Sequence, residues 1–146
     1  MISFTGLSEK NIDDICEIES CSLDTPWGKN ELLKELENKN AHYVCVECDN
    51  KIAGYIGVWN ICGEGNITNI AVHPDFRNKG LGTLLIKEMI KYAKDEKFLF
   101  LTLEVSEKNI QAYNLYKKCG FYETGKRKKY YHNKYDAILM EYKIED

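Results

Sequence analysis

Residues 66–87 read NITNIAVHPDFRNKGLGTLLIK. The β-branched run at 67–72 predicts a strand. His73-Pro74-Asp75 ends it, because proline has a fixed φ and no amide hydrogen for a ladder. Past Arg77-Asn78-Lys79-Gly80-Leu81-Gly82, apolar residues fall at 81, 84, 85, 89, 92 and 93. That is the i, i+3, i+4 spacing of one buried helical face. A glycine-spaced loop opening a helix leaves several N–H groups unpaired at the positive end of the helix dipole. Such a terminus takes phosphate oxygens, and glycine keeps a Cβ out of the anion's way. No Gly-Lys-Ser/Thr follows, so this is not a Walker loop, and a dinucleotide fingerprint would need a third glycine and a later acidic residue. Spacing alone leaves two readings open: an anion-binding helix start, or a strand–turn–helix whose glycines only ease a tight corner.

The 146 residues, 44% hydrophobic and 29% charged, predict one domain, 1–146, with a single sizeable core. No stretch approaches the roughly 18 apolar residues of a membrane span, and the N-terminus lacks a signal-peptide pattern. No membrane role and a cytoplasmic location are expected. A formal net charge of −3 argues against bulk nucleic-acid binding. Six cysteines without a secretory signal read as reduced thiols. Cys45-x-x-Cys48 sits in the strand-like YVCVEC with no second pair and no histidine at finger spacing, so no metal is expected.

Outward from the central segment, 2–6 predicts a short strand. Apolar positions 12, 15 and 18 predict a helix over 8–21, with Ser8 and Asn11 as a capping start. A second helix is expected over 29–38. Residues 42–47 and 52–61 predict a hairpin turned by Cys48-Asp49-Asn50-Lys51. KFLFLTLEV, 97–105, is apolar on both faces apart from Thr102 and Glu104, the pattern of a central strand covered on both sides. Ser106 is the expected cap of a helix containing Ile110, Tyr113 and Tyr116 that stops at Gly120. Closing strands at 121–123 and 137–142 flank a basic, tyrosine-rich loop, KRKKYYHNKY. The order β-α-α-β-β-β-α-β-α-β-β implies an α/β (α+β) fold: a mixed, largely antiparallel central sheet flanked by about four helices.

Ile70-Ala71-Val72-His73-Pro74-x-x-Arg77-x-x-Gly80-x-Gly82-x-x-Leu85 resembles the acetyl-coenzyme A signature, R-x-x-G-x-G, of the GCN5-related N-acetyltransferases (GNAT). The element order is that of the GNAT fold, so the resemblance covers essentially the whole chain. It implies acetyl-CoA as cosubstrate and no metal. The backbone of Ile70, Ala71 and Val72 would polarise the thioester carbonyl. Arg77, Asn78, Lys79, Gly80, Leu81, Gly82 and Thr83 would hold the pyrophosphate. Asn109, which could equally cap a helix, would bind the pantetheine or the phosphate end.

Acetyl transfer to an amine also needs a base and an acid. Glu104 is a lone carboxylate ending an apolar strand, where burial would tune it toward a base; it could equally be the first solvated residue after the strand. Leu103-Glu104-Val105-x-x-x-Asn109 resembles the L-E-V-R-x-x-N motif of the RimI-like branch, whose glutamate deprotonates the substrate amine through water. Tyr116, within a motif similar to A-x-x-L-Y-x-x-x-G-F, would protonate the departing thiolate. No cysteine has the setting of an activated nucleophile, and Cys119 lies at a helix C-terminus where the dipole disfavours a thiolate. Direct attack in a ternary complex is expected.

The same branch is suggested by Thr25-Pro26-Trp27 (F-P-W), Asn69-Ile70-Ala71-Val72 (N-I-A-V) and the run 126–131 (R-x-x-Y-Y). By that resemblance Trp27, Asn69, Tyr130 and Tyr131 would frame a peptide N-terminus. For the basic run itself a solvated face is expected. The chain departs from the branch at Gly65, usually alanine, and at Ser106, often arginine, both expected near the peptide slot. An α-amine with pKa near 8 is neutral in roughly one molecule in ten at pH 7, far more often than a lysine, and suits a weak base. The expectation is N-acetylation of a protein N-terminus, the N-terminal alanine of a small-subunit ribosomal protein, by a monomer or weak dimer. The alternatives are a small-molecule amine, aminoglycoside or lysine acetyltransferase, and a CoA-binding module without catalysis.

Overall fold

The computed structural model describes residues 1–22, 27–131 and 135–144. Its elements are β1 (Ile2–Thr5), α1 (Ile12–Ser22), α2 (Lys29–Leu36), β2 (Ala41–Cys48), β3 (Lys51–Ile61), β4 (Glu64–Val72), α3 (Leu81–Asp95), β5 (Phe100–Ser106), α4 (Ile110–Lys118), β6 (Tyr122–Tyr131) and β7 (Tyr135–Lys143), with a 3-10 turn at Pro74–Phe76. The sheet order is β1-β2-β3-β4-β5-β7-β6. Every neighbouring pair is antiparallel except β4 with β5. This is the mixed, largely antiparallel sheet expected from the sequence.

Two apolar layers sandwich the sheet. On one side α3 buries Leu81, Leu85, Ile86 and Met89 against Ile56, Val58, Ile67, Leu101 and Leu103. On the other, Ile12, Ile15 and Ile18 of α1 and Leu32 of α2 cover Tyr43, Cys45, Tyr55 and Ala71. These last residues belong to β2, β3 and β4, so the second layer stops short of β5. Burial in β5 therefore alternates: Leu101, Leu103 and Val105 are buried, while Phe100, Thr102 and Glu104 are half-exposed. The two-sided cover predicted for this strand is corrected to one side, and β5 starts at Phe100 because Lys97 turns with φ 59°.

β4 changes face partway along. Gly57 pairs with Asn69 but Val58 pairs with Ile67, which leaves Thr68 bulged out of register. A bulge shifts the side-chain alternation by one residue. Ile67 accordingly packs in the α3 layer, and after the bulge Ala71 turns to the α1 layer.

Three local expectations change. The helix after β5 is capped by Asn109, whose side chain accepts from the Ala112 amide at 3.1 Å. Ser106 only accepts from the Lys108 amide, because the chain needs a further turn to leave β5. Asn11 and Ser8 form a turn before α1, with the Asn11 side chain accepting from the Ser8 amide at 2.9 Å. Most of the predicted basic loop is strand: β6 runs to Tyr131, with Lys126 opposite Ile138 and Tyr131 opposite Tyr135. Ladder pairing to an apolar β7 overrides the charged composition. All six cysteines are free, and burial pushes the Cys45 thiol up to about 12. No helix among the described residues is long and apolar enough to cross a membrane.

Gly65 faces the α3 layer, away from the face carrying Glu104 and the α1 packing. A Cβ there would stand 2.6 Å from Phe98 and 2.7 Å from Leu101 side-chain carbons. The departure at this position is a packing requirement of this core. Gly65→Ala is expected to lose about 1–3 kcal/mol of stability through overpacking, read as a lower urea midpoint at unchanged m-value.

Candidate active site

The site grows from a break in the sheet. β4 and β5 pair only through Glu64, Gly65 and Asn66 with Phe100, Leu101 and Thr102. Beyond that, β4 stays on β3 and β5 stays on β7, so the two parallel strands part toward their C-terminal ends. In an antiparallel ladder every second residue points its N–H and C=O away from its partner. Over 67–72 those groups face the cleft between β4 and β5. The bulge at Thr68 bends β4 at this point.

Both strands lead from the cleft into helices. After Val72, His73 caps the 3-10 turn by accepting from the Asp75 amide at 3.1 Å. Arg77 Nε donates to the Val72 carbonyl at 3.2 Å, tying the loop to the strand end. Asn78 and Gly80 then take left-handed conformations, φ 63° and 77°. Gly80 is the N-cap of α3, without a side-chain capping bond. The first bond into that helix runs from the Leu84 amide to the Gly80 carbonyl, so the amides of Leu81, Gly82 and Thr83 have no intrahelical acceptor. Nothing lies within 4 Å of where a Gly80 Cβ would be, whereas one on Gly82 would meet Leu115 of α4 at 3.0 Å. Gly80 answers to backbone conformation and Gly82 to the approach of α4. Asn78, Lys79 and Gly80 are exposed, beside the positive end of a 15-residue helix.

The predicted acid and base come from opposite sides. Tyr116 on α4 is 6% exposed and packs with Phe121, ring centroids 6.1 Å apart, within the α3 layer. Glu104 points the other way, from the uncovered face of β5. It is not a lone carboxylate in an apolar setting: Arg127 Nη2 lies 2.8 Å from its Oε1, with the two side chains 57% and 30% exposed. Arg127 reaches it from β6 across β7, where Leu139 is opposite Glu104 and Ala137 opposite Arg127. One member of the basic run thus makes a specific contact instead of joining a solvated face. Charge counting along the strand could not show this, because the contact crosses an intervening strand. Burial pushes the Cys119 thiol up at the end of α4.

The predicted acceptor residues are distributed differently. Trp27 packs on the α1 layer, 5.9 Å from Trp59. Below them the Glu35 carboxylate accepts from Tyr43 and from the Trp59 indole, both at 2.6 Å. Asn69 is 7% exposed; its amide nitrogen donates to Glu19 and to the Tyr55 hydroxyl, each at 3.1 Å. Glu19, fully buried, escaped the sequence reading. Its signal was present: counted from Ile12 and Ile15, position 19 continues the buried stripe of α1 and holds a carboxylate. Thr25 and Pro26 lie outside the described residues, as do the side chains of Tyr130 and Tyr131.

Known proteins share this fold. The Acetyltransferase (GNAT) family model matches residues 12–121. A Bacillus subtilis relative is 41% identical over 133 residues, 90% of this chain and 88% of its own, and is provisionally named a [ribosomal protein bS18]-alanine N-acetyltransferase. The crystal structure of the ribosomal-protein-S18-alanine N-acetyltransferase from Escherichia coli superposes with a TM-score of 0.92 at 26% identity, covering 100% of this chain and 96% of that one. The PaiA N-acetyltransferase of Thermoplasma acidophilum, solved in complex with coenzyme A, shares the fold at a TM-score of 0.86 and 20% identity, over 98% of this chain and 99% of its own. The parted strands, the glycine-opened helix and the matched sequence lead to one conclusion: this chain is an acetyltransferase and belongs to the GNAT family.

Proposed function

We propose that the chain, acting as one domain over 1–146 in the cytoplasm, transfers acetyl from acetyl-CoA to the N-terminal α-amine of a protein, the N-terminal alanine of a small-subunit ribosomal protein. The observation that carries the reading is the position of Glu104: a carboxylate on the uncovered face of β5, beside the cleft where β4 and β5 part. The names of the Bacillus and Escherichia relatives support the acceptor.

The residues fit a coenzyme A thioester. Free amides at 81–83 and the exposed Lys79 suit a pyrophosphate, and the open space at Gly80 lets it approach the backbone. Backbone groups of Ile70, Ala71 and Val72 that face the cleft suit a pantetheine arm and a carbonyl. Asn109 spends its side-chain oxygen on capping α4, and its amide nitrogen is the group assigned to the arm. When bound, acetyl-CoA supplies an activated acyl group and a thiolate leaving group.

The chain's own residues then divide the work. Glu104, paired with Arg127, takes a proton from the acceptor ammonium through water, which leaves the amine neutral for attack on the acyl carbon. As the carbon–nitrogen bond forms and the carbon–sulfur bond breaks, the fixed amides of β4 stabilise charge on the acyl oxygen without reorganising. Tyr116 gives its hydroxyl proton to the departing sulfur, and the second proton that the nitrogen sheds as the amide forms passes through water to restore it. Trp27, Asn69, Tyr130 and Tyr131 are assigned to the walls that receive the peptide.

Thiol release from acetyl-CoA tests the reading, with alanine-initiated peptides set against the same peptides N-terminally blocked and carrying lysine. Turnover confined to the free N-terminus is expected, and Glu104→Gln should lower kcat by about 100-fold or more. Turnover only on lysine, or only on small amines, would remove the N-terminal assignment. Gly80→Val places a β-branched side chain at φ 77° and should raise KM for acetyl-CoA about tenfold or more while leaving the peptide KM near its original value. Arg127→Ala should cut kcat/KM for the peptide only a few-fold, as expected of a partly exposed pair, with acetyl-CoA KM unchanged; steady-state kinetics in both substrates would show it.

A further inference from the structure

α1 carries a carboxylate that the proposed chemistry leaves unused. Glu19 is 0% exposed, and carboxylates are rarely buried to that degree unless paired. Its partners among the described residues are neutral donors from three other elements. Oε2 accepts from the Tyr55 hydroxyl of β3 at 2.5 Å and from Asn69 Nδ2 of β4 at 3.1 Å. Oε1 accepts from the Gly28 amide at 3.3 Å. Gly28 is the N-cap of α2, has φ 84°, and follows Trp27 directly.

Stability alone does not call for this arrangement. Ile12, Ile15 and Ile18 around it are buried, and an apolar side chain at 19 would continue that layer without the desolvation a carboxylate suffers. A satisfied buried network instead fixes geometry. What it fixes is specific: one carboxylate oxygen holds the segment that carries Trp27, and the other holds Asn69, the residue just before the 70–72 backbone. We infer that Glu19 is a positioning residue for the acceptor, clamping the Trp27–Gly28 wall to β4 so that a peptide N-terminus meets the cleft in register. This rests on the proposed acceptor reading and adds the residue that sets the wall.

Glu19→Gln is nearly isosteric but turns one acceptor into a donor facing the Tyr55 and Asn69 donors. It should raise the peptide KM about tenfold or more, keep the acetyl-CoA KM within about twofold, and speed hydrogen exchange at the Gly28 amide. The double variant Glu19→Gln/Asn69→Asp restores complementarity: the new amide donates to the new carboxylate, and the remaining amide oxygen still accepts from Gly28. Gly28 exchange should return to within about threefold of the parent. An unchanged peptide KM in Glu19→Gln, an equal loss in both substrates, or no return of Gly28 exchange in the double variant would overturn the inference. If Glu19→Gln does not accumulate folded, Tyr55→Phe removes one donor and should still raise the peptide KM about threefold, and an unchanged value would overturn it. Should the parent enzyme acetylate no free N-terminus, the acceptor reading fails separately. Gly28 exchange in Glu19→Gln, and its return in the double variant, then decides the clamp alone.

Discussion

The structure depends on a backbone constraint: each peptide group in a sheet needs a partner, and β4 loses one neighbour after three residues. β4 and β5 share pairs only from Glu64 to Asn66. From there each strand keeps its other neighbour, so the sheet holds together while a row of main-chain groups opens into a cleft. Both strands end at helix starts, so the unpaired amides of α3 continue the row. A binding surface made of backbone tolerates many side chains.

The two apolar layers decide how side chains reach that cleft. The α3 layer spans β2 to β7 and buries Tyr116. The α1 and α2 layer covers β2 to β4 only, and the bare face of β5 is where Glu104 and Arg127 meet. Glu104 and Tyr116, the proposed base and acid, thus lie on opposite faces of one sheet. A second layer extended over β5 would bury Glu104.

Polar groups inside the α1 layer follow a single rule: each carboxylate ties separate elements together. Glu35 joins Tyr43 to Trp59, and Glu19 joins Tyr55, Asn69 and Gly28. Burial and these bonds drive the Tyr43 and Tyr55 hydroxyls far above the ordinary tyrosine range, so both remain donors at any working pH.

Read alone, the sequence determined the element order, the α3 face and the glycine-opened loop, because these rest on periodicities of two and 3.6 residues and on local φ preferences. It also named Glu104 and Tyr116 through short motifs. Only the tertiary structure decided where β4 and β5 part, that β5 is covered on one face, and that the basic run is strand with Arg127 on Glu104. It alone showed Gly65 answering to Phe98, and Glu19 reaching three other elements. Each of these depends on contacts between segments tens of residues apart, such as the 50 between Glu19 and Asn69. Hydrophobic spacing records which face a residue takes, but not which residue of another strand or helix will meet it there.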